Sequence, residues 1–479
     1  MEHAPAPNEY REQRLANLRA LQEKGIEPFG GAFERTGNLA AIRAGFAAGA
    51  AARAAGRLVA LRDMGKSVFG HLQDASGKFQ VYFKKDALPE AAFAAVKHLD
   101  LGDHVGVEGE LFTTRTGEPT IKVTAWTMLS KALLPLPEKW HGLHDVEIRY
   151  RQRYLDLIAN PDVCRLFERR TAIVREIRAF LQGRGFQEVE TPMMQPLAGG
   201  AAARPFETHY QALNATMYLR IAPELYLKRL LVGGLDKVYE LNRNFRNEGL
   251  DRSHNPEFTM LEIYEAYGDL RTMKRLVEEM IRRVTQTVIG TLCVGTASQP
   301  VDLESPWREA AYDDLVREAA GADWFDLAPA AARERARGLG VEGDPAWSPL
   351  ELTHEVYEKV VEKSLVNPTF VTRLPADLVP LAKRCADDPS KVDVFELVIA
   401  GKEIAPAYSE LNDPIEQRRR FEAQAGGEGG KVDEDFLAAM DHGMPPAGGM
   451  GIGIDRLVMI LTGSEAIRDV IFFPQMKAK

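Results

Sequence analysis

A short charged segment, Phe245-Arg246-Asn247-Glu248, lies between two runs with the alternating pattern of β-strands, residues 237–244 and 258–267. This pattern predicts an antiparallel hairpin with Arg246 and Glu248 at the lip of its loop. Arginine carries a planar, permanently charged fork that binds two phosphoryl or carboxylate oxygens at once. The loop is therefore predicted to bind phosphate.

A second arginine, Arg456, ends the segment Gly451-Ile452-Gly453-Ile454-Asp455-Arg456 far along the chain. Two arginines from distant segments can hold the two ends of one polyphosphate, so ATP is the expected ligand. The glycines of this segment are followed by Asp455, Arg456 and an apolar helix. Their spacing differs from that of a Walker loop or a dinucleotide-binding fingerprint.

The composition is that of an ordinary globular protein. The chain has 479 residues, 45% hydrophobic and 27% charged, enough for two or three domains with large cores. It contains no run of eighteen apolar residues, so no membrane span is expected. The N-terminus lacks the basic start and apolar core of a signal peptide, and the expected location is cytoplasmic.

Charge and cysteine content limit the function classes further. The net charge of −9 does not exclude a nucleic-acid partner, because binding depends on local basic patches rather than on the total charge. The cysteines Cys164, Cys293 and Cys385 are isolated, which argues against a disulfide framework and a zinc site. They are expected to be buried thiols.

Residues 56–135 consist of short alternating runs separated by turns. The predicted strands cover residues 56–61, 67–73, 78–84, 104–111 and 120–130. Five strands in a segment of this size indicate an OB-fold barrel, which commonly binds single-stranded nucleic acid on one face. Phe69, Phe79 and Tyr82 are candidate stacking platforms for bases, although burial inside the barrel fits Phe79 and Tyr82 at least as well.

The segments beside the barrel complete the predicted layout. Residues 1–55 are a helical extension that includes an alanine-rich helical segment at 39–55, and residues 136–160 are a linker. Residues 161–479 form one large domain, with a peripheral helical insertion at about 270–350.

Three segments carry a family resemblance. Phe245 to Glu248 resembles motif 2 of the class II aminoacyl-tRNA synthetases, Gly451 to Arg456 resembles motif 3, and Gly185 to Met193 resembles motif 1. With a barrel ahead of them, the motifs are most similar to class IIb, and the sequence between them is most similar to the lysyl-tRNA synthetases.

The resemblance implies an α+β fold. A five-stranded OB-fold barrel would bind the anticodon through Arg62, Phe69 and Gln80. A class II catalytic domain would follow, built on a mixed, mainly antiparallel sheet flanked by helices. The implied partners are tRNA(Lys), ATP and L-lysine, and helix 161–182 is implied to lie at a homodimer interface, although its periodicity fits core packing equally.

A second hairpin is predicted at residues 392–404, with a two-residue turn at Ala400-Gly401. In this arrangement Glu396 and Glu403 fall on one face of the sheet. Adjacent carboxylates repel each other unless a cation lies between them, and magnesium carried by ATP would supply that cation. Spacing alone favours two solvated glutamates, whereas the resemblance implies that both bind Mg²⁺.

The second strand of the first hairpin lines a predicted pocket. Its period of two places on one face Phe258, Met260, Glu262 and Tyr264. Phe258 can stack on adenine, while Glu262 and Tyr264 lie deeper.

Acidic residues dominate this pocket. Glu224, Glu262 and Glu410 give three carboxylates against the single Arg246. This balance suits a substrate with an ammonium side chain, whereas an aspartate substrate needs the opposite sign. Lysine is therefore favoured over the substrates of the aspartyl and asparaginyl enzymes, which share the fold.

The resemblance implies a role for each site residue. The implied lysine ligands are Glu224, Arg246, Glu262, Tyr264, Tyr408 and Glu410. The implied ATP ligands are Arg246, Glu248, His254, Phe258 and Arg456. Of these, Arg246, Glu248 and Arg456 are the catalytic groups, with Arg246 on the α-phosphate and Arg456 near the γ-phosphate. A lone loop histidine such as His254 is otherwise more often a solvated surface residue.

The implied reaction joins lysine to tRNA through lysyl-adenylate and needs no protein nucleophile. One alternative is a relative that binds tRNA or nucleotide without aminoacylation, and the intact arginines and glutamates of the motifs argue against it. Another is a ligase that lysylates a protein, which would have no use for the barrel.

Two positions depart from the family pattern. Pro406 stands where the family usually has an asparagine that holds the substrate carboxylate, and proline offers neither a side-chain donor nor an amide hydrogen. Either Arg246 or a water is expected to compensate, or the specificity has moved. Arg373 stands where the family commonly has an acid.

Overall fold

The structure is a computed structural model that describes residues 7–137, 143–201, 203–379, 382–428 and 432–478. Contacts divide the chain into two compact units, Met1–Cys164 and Arg165–Lys479. Part of the predicted linker, residues 138–142, lies outside the described residues.

The first unit is built around a closed five-stranded barrel. Its strands are β1 (Ala51–Asp63), β2 (Ser67–Asp74), β3 (Gly77–Lys84), β4 (His104–Thr113) and β5 (Pro119–Ser130). Its helices are α1 (Pro7–Glu23), α2 (Leu39–Ala44), α3 (Glu90–Ala95), α4 (Val146–Arg151) and α5 (Arg153–Ala159). The strands close in the order β1-β2-β3-β5-β4, and only the β3–β5 pair is parallel. The predicted OB-fold barrel is confirmed.

The barrel interior follows the period of two along each strand. Leu72 on β2, Phe79, Val81 and Phe83 on β3 and Val107 on β4 are all fully buried in one apolar core. Phe79 therefore fills the barrel interior, which was the alternative to a role in stacking on bases.

The prediction of helix over residues 39–55 was wrong for its second half. Helix α2 ends at Ala44, and β1 begins at Ala51. All five residues 51–55 pair with β4, and the side chains of Ala52 and Ala54 point into the core. Pairing and burial have overridden the helical propensity of alanine, which is only a weak preference.

The segment predicted as a linker contains the two short helices α4 and α5. Arg153 is 1% exposed and donates to Asp156 at 2.6 Å, and Arg149 donates to the same carboxylate at 2.8 Å. These arginines are thus engaged in ion pairs within the first unit.

A buried ion cluster fixes the end of β5. The ammonium of Lys131 is fully buried and lies 2.5 Å from Asp100 and 2.9 Å from Asp103. Asp103 also accepts the backbone N–H of Ala132 at 2.8 Å. Burial raises the pKa of Asp103, against the opposing effect of Lys131.

The chain from helix α6 onward forms the second unit. Its helices are α6 (Pro161–Gln182), α7 (Glu224–Val232), α8 (Leu270–Val288), α9 (Tyr312–Ala320), α10 (Pro329–Gly338), α11 (Pro349–Val356), α12 (Pro414–Glu428), α13 (Glu434–Asp441), α14 (Ile454–Thr462) and α15 (Ile467–Val470). A π-helical turn, Tyr357–Glu362, continues α11.

An eight-stranded sheet organises this unit. Its strands are, from edge to edge, β14 (Arg308–Ala311), β15 (Thr369–Thr372), β16 (Val394–Ile399), β17 (Lys402–Ser409), β18 (Ala447–Gly453), β11 (Glu257–Ala266), β10 (Lys237–Phe245) and β6 (Gln187–Glu188). Only the two edge pairs are parallel. The predicted mixed, mainly antiparallel sheet is confirmed.

Two small sheets accompany the large one. They contain β7 (Met194–Gln195), β8 (Phe206–Tyr210) and β9 (Ala215–Leu219), and β12 (Cys293–Thr296) with β13 (Gln299–Asp302). Among the described residues, every helix is too short or too polar to span a lipid bilayer.

One face of the large sheet carries the main core. Ile263 of β11, Ile452 of β18 and Ala405 of β17 pack with apolar residues of α6, α8 and α14. The opposite face of the same strands is left to the polar side chains of the site.

The prediction of a peripheral helical insertion at 270–350 was wrong for its beginning. Met273, Val277 and Met280 of α8 are fully buried in the main core. The same segment also supplies β12 to β14. An amphipathic helix looks alike in sequence whether it covers a central or a peripheral sheet, so the pattern could not assign it.

The cysteines also differ from expectation. Cys385 is buried and Cys164 is partly buried, but Cys293 is exposed at the start of β12. All three are free thiols.

Replacing Lys131 with methionine should destabilise the barrel strongly. The change leaves the buried Asp103 and the partly buried Asp100 without their cation, which costs roughly 3 to 5 kcal/mol. Calorimetric unfolding of the full chain should show a transition at lower temperature. Lys84→Met is the matched control, since Lys84 forms an exposed pair with Asp86 and should change stability by less than about 1 kcal/mol. Equal shifts for the two variants would contradict the prediction.

Candidate active site

The site lies where β11, β18 and β17 run side by side. Tyr264 on β11 is opposite Gly449 on β18, and Gly449 is opposite Tyr408 on β17. One register step away, Glu262 is opposite Gly451. Because paired residues share a face, the glycines form the floor of a trough between the side chains of the two flanking strands.

Space requires glycine at two of these positions. A Cβ atom at residue 449 would lie 1.9 Å from Oε1 of Glu410 and 2.5 Å from the ring of Tyr264. At residue 451 it would lie 2.5 Å from the terminal methyl of Met260. The glycine-rich segment therefore makes room for neighbouring side chains.

A cavity of about 1310 Å³ opens above this trough. The predicted site residues that line it are Glu224, Arg246, Glu248, Glu262, Tyr264, Glu403 and Tyr408. Residues 197–201 and 203–205 form another wall, and Pro406 lies on the β17 side. The predicted residues that do not line it are His254, Phe258, Glu396, Glu410 and Arg456.

The first hairpin is as predicted, with the loop 246–256 between β10 and β11. The backbone N–H of Arg246 donates to the carbonyl of Pro256 at 2.9 Å, and its guanidinium lies 5.2 Å from the Phe258 ring centroid. Nε of Arg246 is buried and has no hydrogen-bond partner among the described residues. This unsatisfied donor at the cavity wall can take an anionic ligand.

Arg456 connects the two ends of the site. Its guanidinium donates to Nε2 of His254 at 3.0 Å and to the carbonyl of Glu403 at 3.0 Å. Nδ1 of His254 donates in turn to Asp251 at 2.7 Å. His254 is thus exposed at the surface but ordered by two partners.

The second hairpin has the predicted two-residue turn, with Ala400 and Gly401 at φ of 54° and 67°. Glu396 is opposite Pro406, and Val398 is opposite Glu403. Glu396 and Glu403 therefore face the same side, as predicted. A bulge between these pairs shifts the register, so that β17 brings Glu403 and Pro406 onto one face.

A third carboxylate joins this pair. Glu362, at the end of the π-helical turn, accepts the backbone N–H of Glu403 at 3.2 Å, and Tyr357 of the same turn donates to Glu396 at 3.3 Å. Burial and the charges of Glu403 and Glu362 raise the pKa of Glu396 well above its usual value. Burial and Glu403 raise the pKa of Glu362 to about 7.

These residues fit a magnesium ion. The donor set consists of carboxylate oxygens, which hard divalent cations prefer. Among the described residues, the hydrogen bonds of Glu396 and Glu362 come from a tyrosine hydroxyl and a backbone N–H and not from a cation. Within the described chain, no three acidic, histidine or cysteine side chains are close enough to enclose an ion by themselves. Magnesium usually completes its shell with waters and substrate phosphates.

The acidic end of the cavity contains a lysine that the charge count omitted. The ammonium of Lys228 lies 2.6 Å from Glu224 and 2.5 Å from Glu410. Lys228 is 1% exposed, and the two carboxylates raise its pKa although burial lowers it. The negative charges of the three predicted carboxylates are therefore opposed by the positive charges of both Lys228 and Arg246. The charge count from the sequence, which included only Arg246, was wrong.

Glu262 lies at the centre of the acidic end. It is 5% exposed and accepts the hydroxyl of Tyr264 at 3.2 Å. Burial, together with the charge of Glu224, raises the pKa of Glu262 to about 8. Burial likewise raises the pKa of Glu410 to about 7, against the opposing effect of Lys228.

Pro406 and Arg373 have defined surroundings. β17 runs through Pro406 and pairs it with β16, while pairing with β18 begins only at Ala407. Proline has no amide hydrogen to donate, and Pro406 lies just outside the hydrogen-bonded pairing of β17 with β18. Arg373 has a φ of 57° and forms an ion pair with Asp387 at 2.9 Å, in a loop outside the cavity lining.

The first unit carries a separate candidate site. Arg62, Phe69 and Tyr82 are opposite one another across β1, β2 and β3, and the rings of Phe69 and Tyr82 are 4.6 Å apart. Phe112 extends this aromatic surface, with its ring 5.8 Å from Tyr82. Gln80 is 9% exposed and uses its amide within the barrel, where it donates to Glu118 and accepts from Thr120.

Sequence reasoning missed Lys228, Glu362 and the wall at 197–205. Lys228 carried a readable signal, because it stands four residues after Glu224 at the start of a helix, where the side chains meet. Glu362 and the wall come close to the site only through the tertiary fold.

Gly449→Ala should weaken lysine binding. The new methyl group would overlap Glu410 and the Tyr264 ring, so these side chains must move. Overpacking costs about 1 to 3 kcal/mol, so calorimetric titration with lysine should show a loss of affinity of roughly 5- to 150-fold. Gly338→Ala is the control, because Gly338 has open space around its Cβ position. Unchanged affinity in Gly449→Ala would refute the steric assignment.

Comparison with known proteins agrees with this architecture. The family described as tRNA synthetases class II (D, K and N) matches residues 145–477, and the family described as OB-fold nucleic acid binding domain matches residues 52–129. The first match covers well over half of the chain.

Curated relatives extend over nearly the whole length. The chain is 52% identical to a lysine–tRNA ligase of Moorella thermoacetica, over 99% of each chain. It is 51% identical to one of Syntrophomonas wolfei, over 98% of each, and 50% identical to one of Carboxydothermus hydrogenoformans, over 100% of each. The chain therefore belongs to the class II tRNA synthetases and, within them, to the family of the lysine–tRNA ligases.

Proposed function

We infer that this protein is a lysine–tRNA ligase, which activates L-lysine with ATP and transfers it to tRNA(Lys). The observation that supports this most directly is the single cavity that joins an arginine with an unsatisfied donor, Arg246, to a buried acidic end built from Glu224 and Glu262. A carboxylate and an ammonium on one substrate match these two ends.

In the first step, a carboxylate oxygen of lysine attacks the α-phosphorus of ATP. The new oxygen–phosphorus bond forms as the bond to the β-phosphate oxygen breaks, which gives lysyl-adenylate and pyrophosphate. Arg246 is positioned to stabilise charge on the α-phosphate, and Arg456 to hold the far end of the triphosphate. No protein side chain forms a covalent bond.

Glu248 and Phe258 complete the proposed nucleotide site. Phe258 stacks on the adenine, and Glu248 contacts the nucleotide from the loop. His254 orients Arg456 through the hydrogen bond between them. Binding of ATP is proposed to draw Arg456 onto phosphate, and the ordered histidine limits where its guanidinium can lie.

Glu396 and Glu403 are the proposed magnesium ligands, with Glu362 beside them. Magnesium bound here would neutralise charge on the phosphates of ATP. Tyr357 holds the Glu396 carboxylate, and Glu362 accepts the N–H of Glu403, so both proposed ligands are braced by the π-helical turn.

Lysine is proposed to lie with its ε-ammonium toward Glu224, Tyr264 and Glu410, and its α-ammonium toward Glu262. Tyr408 forms the side of the pocket on β17. Since Pro406 offers no donor, the substrate carboxylate relies on Arg246.

In the second step, a hydroxyl of the terminal ribose of tRNA attacks the lysyl carbonyl. The ester forms and AMP leaves. The anticodon is proposed to contact Arg62, Phe69 and Gln80, which share one face of the barrel, and Gln80 is held in place by Glu118 and Thr120. Tyr82 is a further stacking platform on the same face.

The homodimer remains a proposal. The ring of Phe472 stacks on Phe167 of α6 at 3.7 Å, and the neighbouring Phe473 is 73% exposed. An aromatic surface beside α6 supports an interface there. The cytoplasm remains the proposed compartment, on the grounds of composition.

Pyrophosphate exchange tests the proposed function. The purified protein is incubated with ATP, labelled pyrophosphate and each of the twenty amino acids in turn, and then with lysine and total tRNA. Exchange with lysine alone, followed by charging, is the expected result. Exchange without charging would favour the ligase that lysylates a protein, and absence of exchange with every amino acid would favour a binding protein.

Lysine binding should tighten as pH rises. The raised pKa means that Glu262 holds a proton in the free protein below about pH 8, and the substrate ammonium favours the ionised form, so binding releases that proton. Between pH 7 and 8 the dissociation constant should fall by up to about tenfold. Glu262→Gln should lose this change, as measured by calorimetry. A wild-type affinity independent of pH would rule out a protonated Glu262.

Phe69→Ala should weaken tRNA recognition alone. Loss of one stacking platform costs about 1 to 3 kcal/mol, which corresponds to roughly a 5- to 150-fold lower kcat/KM for tRNA. Pyrophosphate exchange should be unchanged. Phe29→Ala, which removes another exposed ring of the first unit, serves as the control and should leave charging unaltered.

A further inference from the structure

The acidic end of the cavity contains a fixed cation, Lys228, between two of the proposed lysine ligands. Its ammonium lies 2.6 Å from Oε1 of Glu224 and 2.5 Å from Oε2 of Glu410. Lys228 and Glu410 are 1% and 2% exposed, so this contact is removed from solvent. Charges in such a place interact strongly, and leaving one of them unpaired is costly.

Glu224 and Glu410 differ in their access to the substrate. Glu224 lines the cavity, whereas Glu410 lies outside its lining and fits against the floor formed by Gly449. Lys228 therefore joins a carboxylate that can meet the substrate to one held behind it. The side chain of Lys228 does not line the cavity either, so it need not move when a substrate enters.

Glu224, Lys228 and Glu410 are called the trio below. Their charges sum to a single excess negative charge. Two carboxylates and one ammonium leave −1, which one substrate ammonium would neutralise. Without Lys228, two adjacent carboxylates would face each other, and one would take up a proton.

We propose that Lys228 is a positioning residue that determines specificity: it fixes Glu224 and Glu410 and sets the charge of the pocket so that it accepts one ammonium group. This rests on the proposed function, because it concerns the same lysine pocket. Lys228 is not a catalytic residue, since it acts on the substrate only through Glu224 and Glu410.

The other ionisable groups around the trio are known. Glu262 and Tyr264 reach the pocket from β11, and Tyr408 reaches it from β17. On α7, Arg229 is occupied by Asp433 at 2.9 Å. Titration of the trio can thus be separated from that of Glu262 by working above pH 8 and by using Glu262→Gln as a background.

The decisive experiment compares Glu410→Gln with the double variant Lys228→Met/Glu410→Gln by calorimetric titration with lysine. In Glu410→Gln the trio sums to zero, and lysine should bind at least tenfold more weakly than to the wild type. In the double variant Glu224 alone remains charged, the sum returns to −1, and lysine should bind more tightly than to Glu410→Gln. A purely structural Lys228 predicts the reverse order, and that order would overturn the proposal.

Two single variants add an independent readout. When lysine binds above pH 8, Lys228→Met should release up to one more proton than the wild type, whereas Lys228→Arg should release the same number. The number of protons is measured by calorimetry in buffers of different ionisation enthalpy. An unchanged proton count and affinity in Lys228→Met would also overturn the proposal. Lys237→Met, at a partly exposed lysine on β10, is the control.

The comparison also separates the proposal from the proposed function. If the wild type does not bind lysine, the proposed function fails. The wild type could instead bind lysine while the double variant Lys228→Met/Glu410→Gln binds it more weakly than Glu410→Gln does. In that case only the proposed role of Lys228 fails.

Discussion

A strand with glycine at the central positions of one face is the constraint on which the second unit depends. β18 runs through the middle of the sheet with Gly449 and Gly451 directed at the site, and its other residues, such as Met450 and Ile452, enter the main core. One strand thus combines a packed face with an empty one. The flanking strands can then bring Glu262, Tyr264 and Tyr408 toward each other across a gap wide enough for a substrate.

The charged groups around this gap are held by elements that come from distant parts of the chain. The helix α7 supplies Glu224 and Lys228, the first hairpin supplies Arg246, and the π-helical turn braces Glu396 and Glu403. The carboxylates of Glu224 and Glu396 therefore have partners in Lys228 and Tyr357, and the backbone of Glu403 is held by Glu362, before any ligand arrives. Preorganisation of this kind lowers the cost of ordering at the moment of binding.

Much of this arrangement followed from local pattern. Period-two alternation predicted the barrel and both hairpins, and turn parity predicted that Glu396 and Glu403 share a face. Local pattern failed where a tertiary contact decides. The alanines at 51–55 form a strand because β4 pairs with them, and α8 belongs to the core because the sheet lies beneath it. The charge of the pocket was misjudged for the same reason, since Glu410 meets Lys228 across nearly two hundred residues of chain.

Arg456 has a consequence for the motion of the site. Its guanidinium forms hydrogen bonds both to the histidine of the 246–256 loop and to the backbone of β17, so it connects the two hairpins. An incoming anion that captures this group competes with both bonds at once. Movement of the 246–256 loop and movement of β17 near Glu403 are thereby coupled through one side chain.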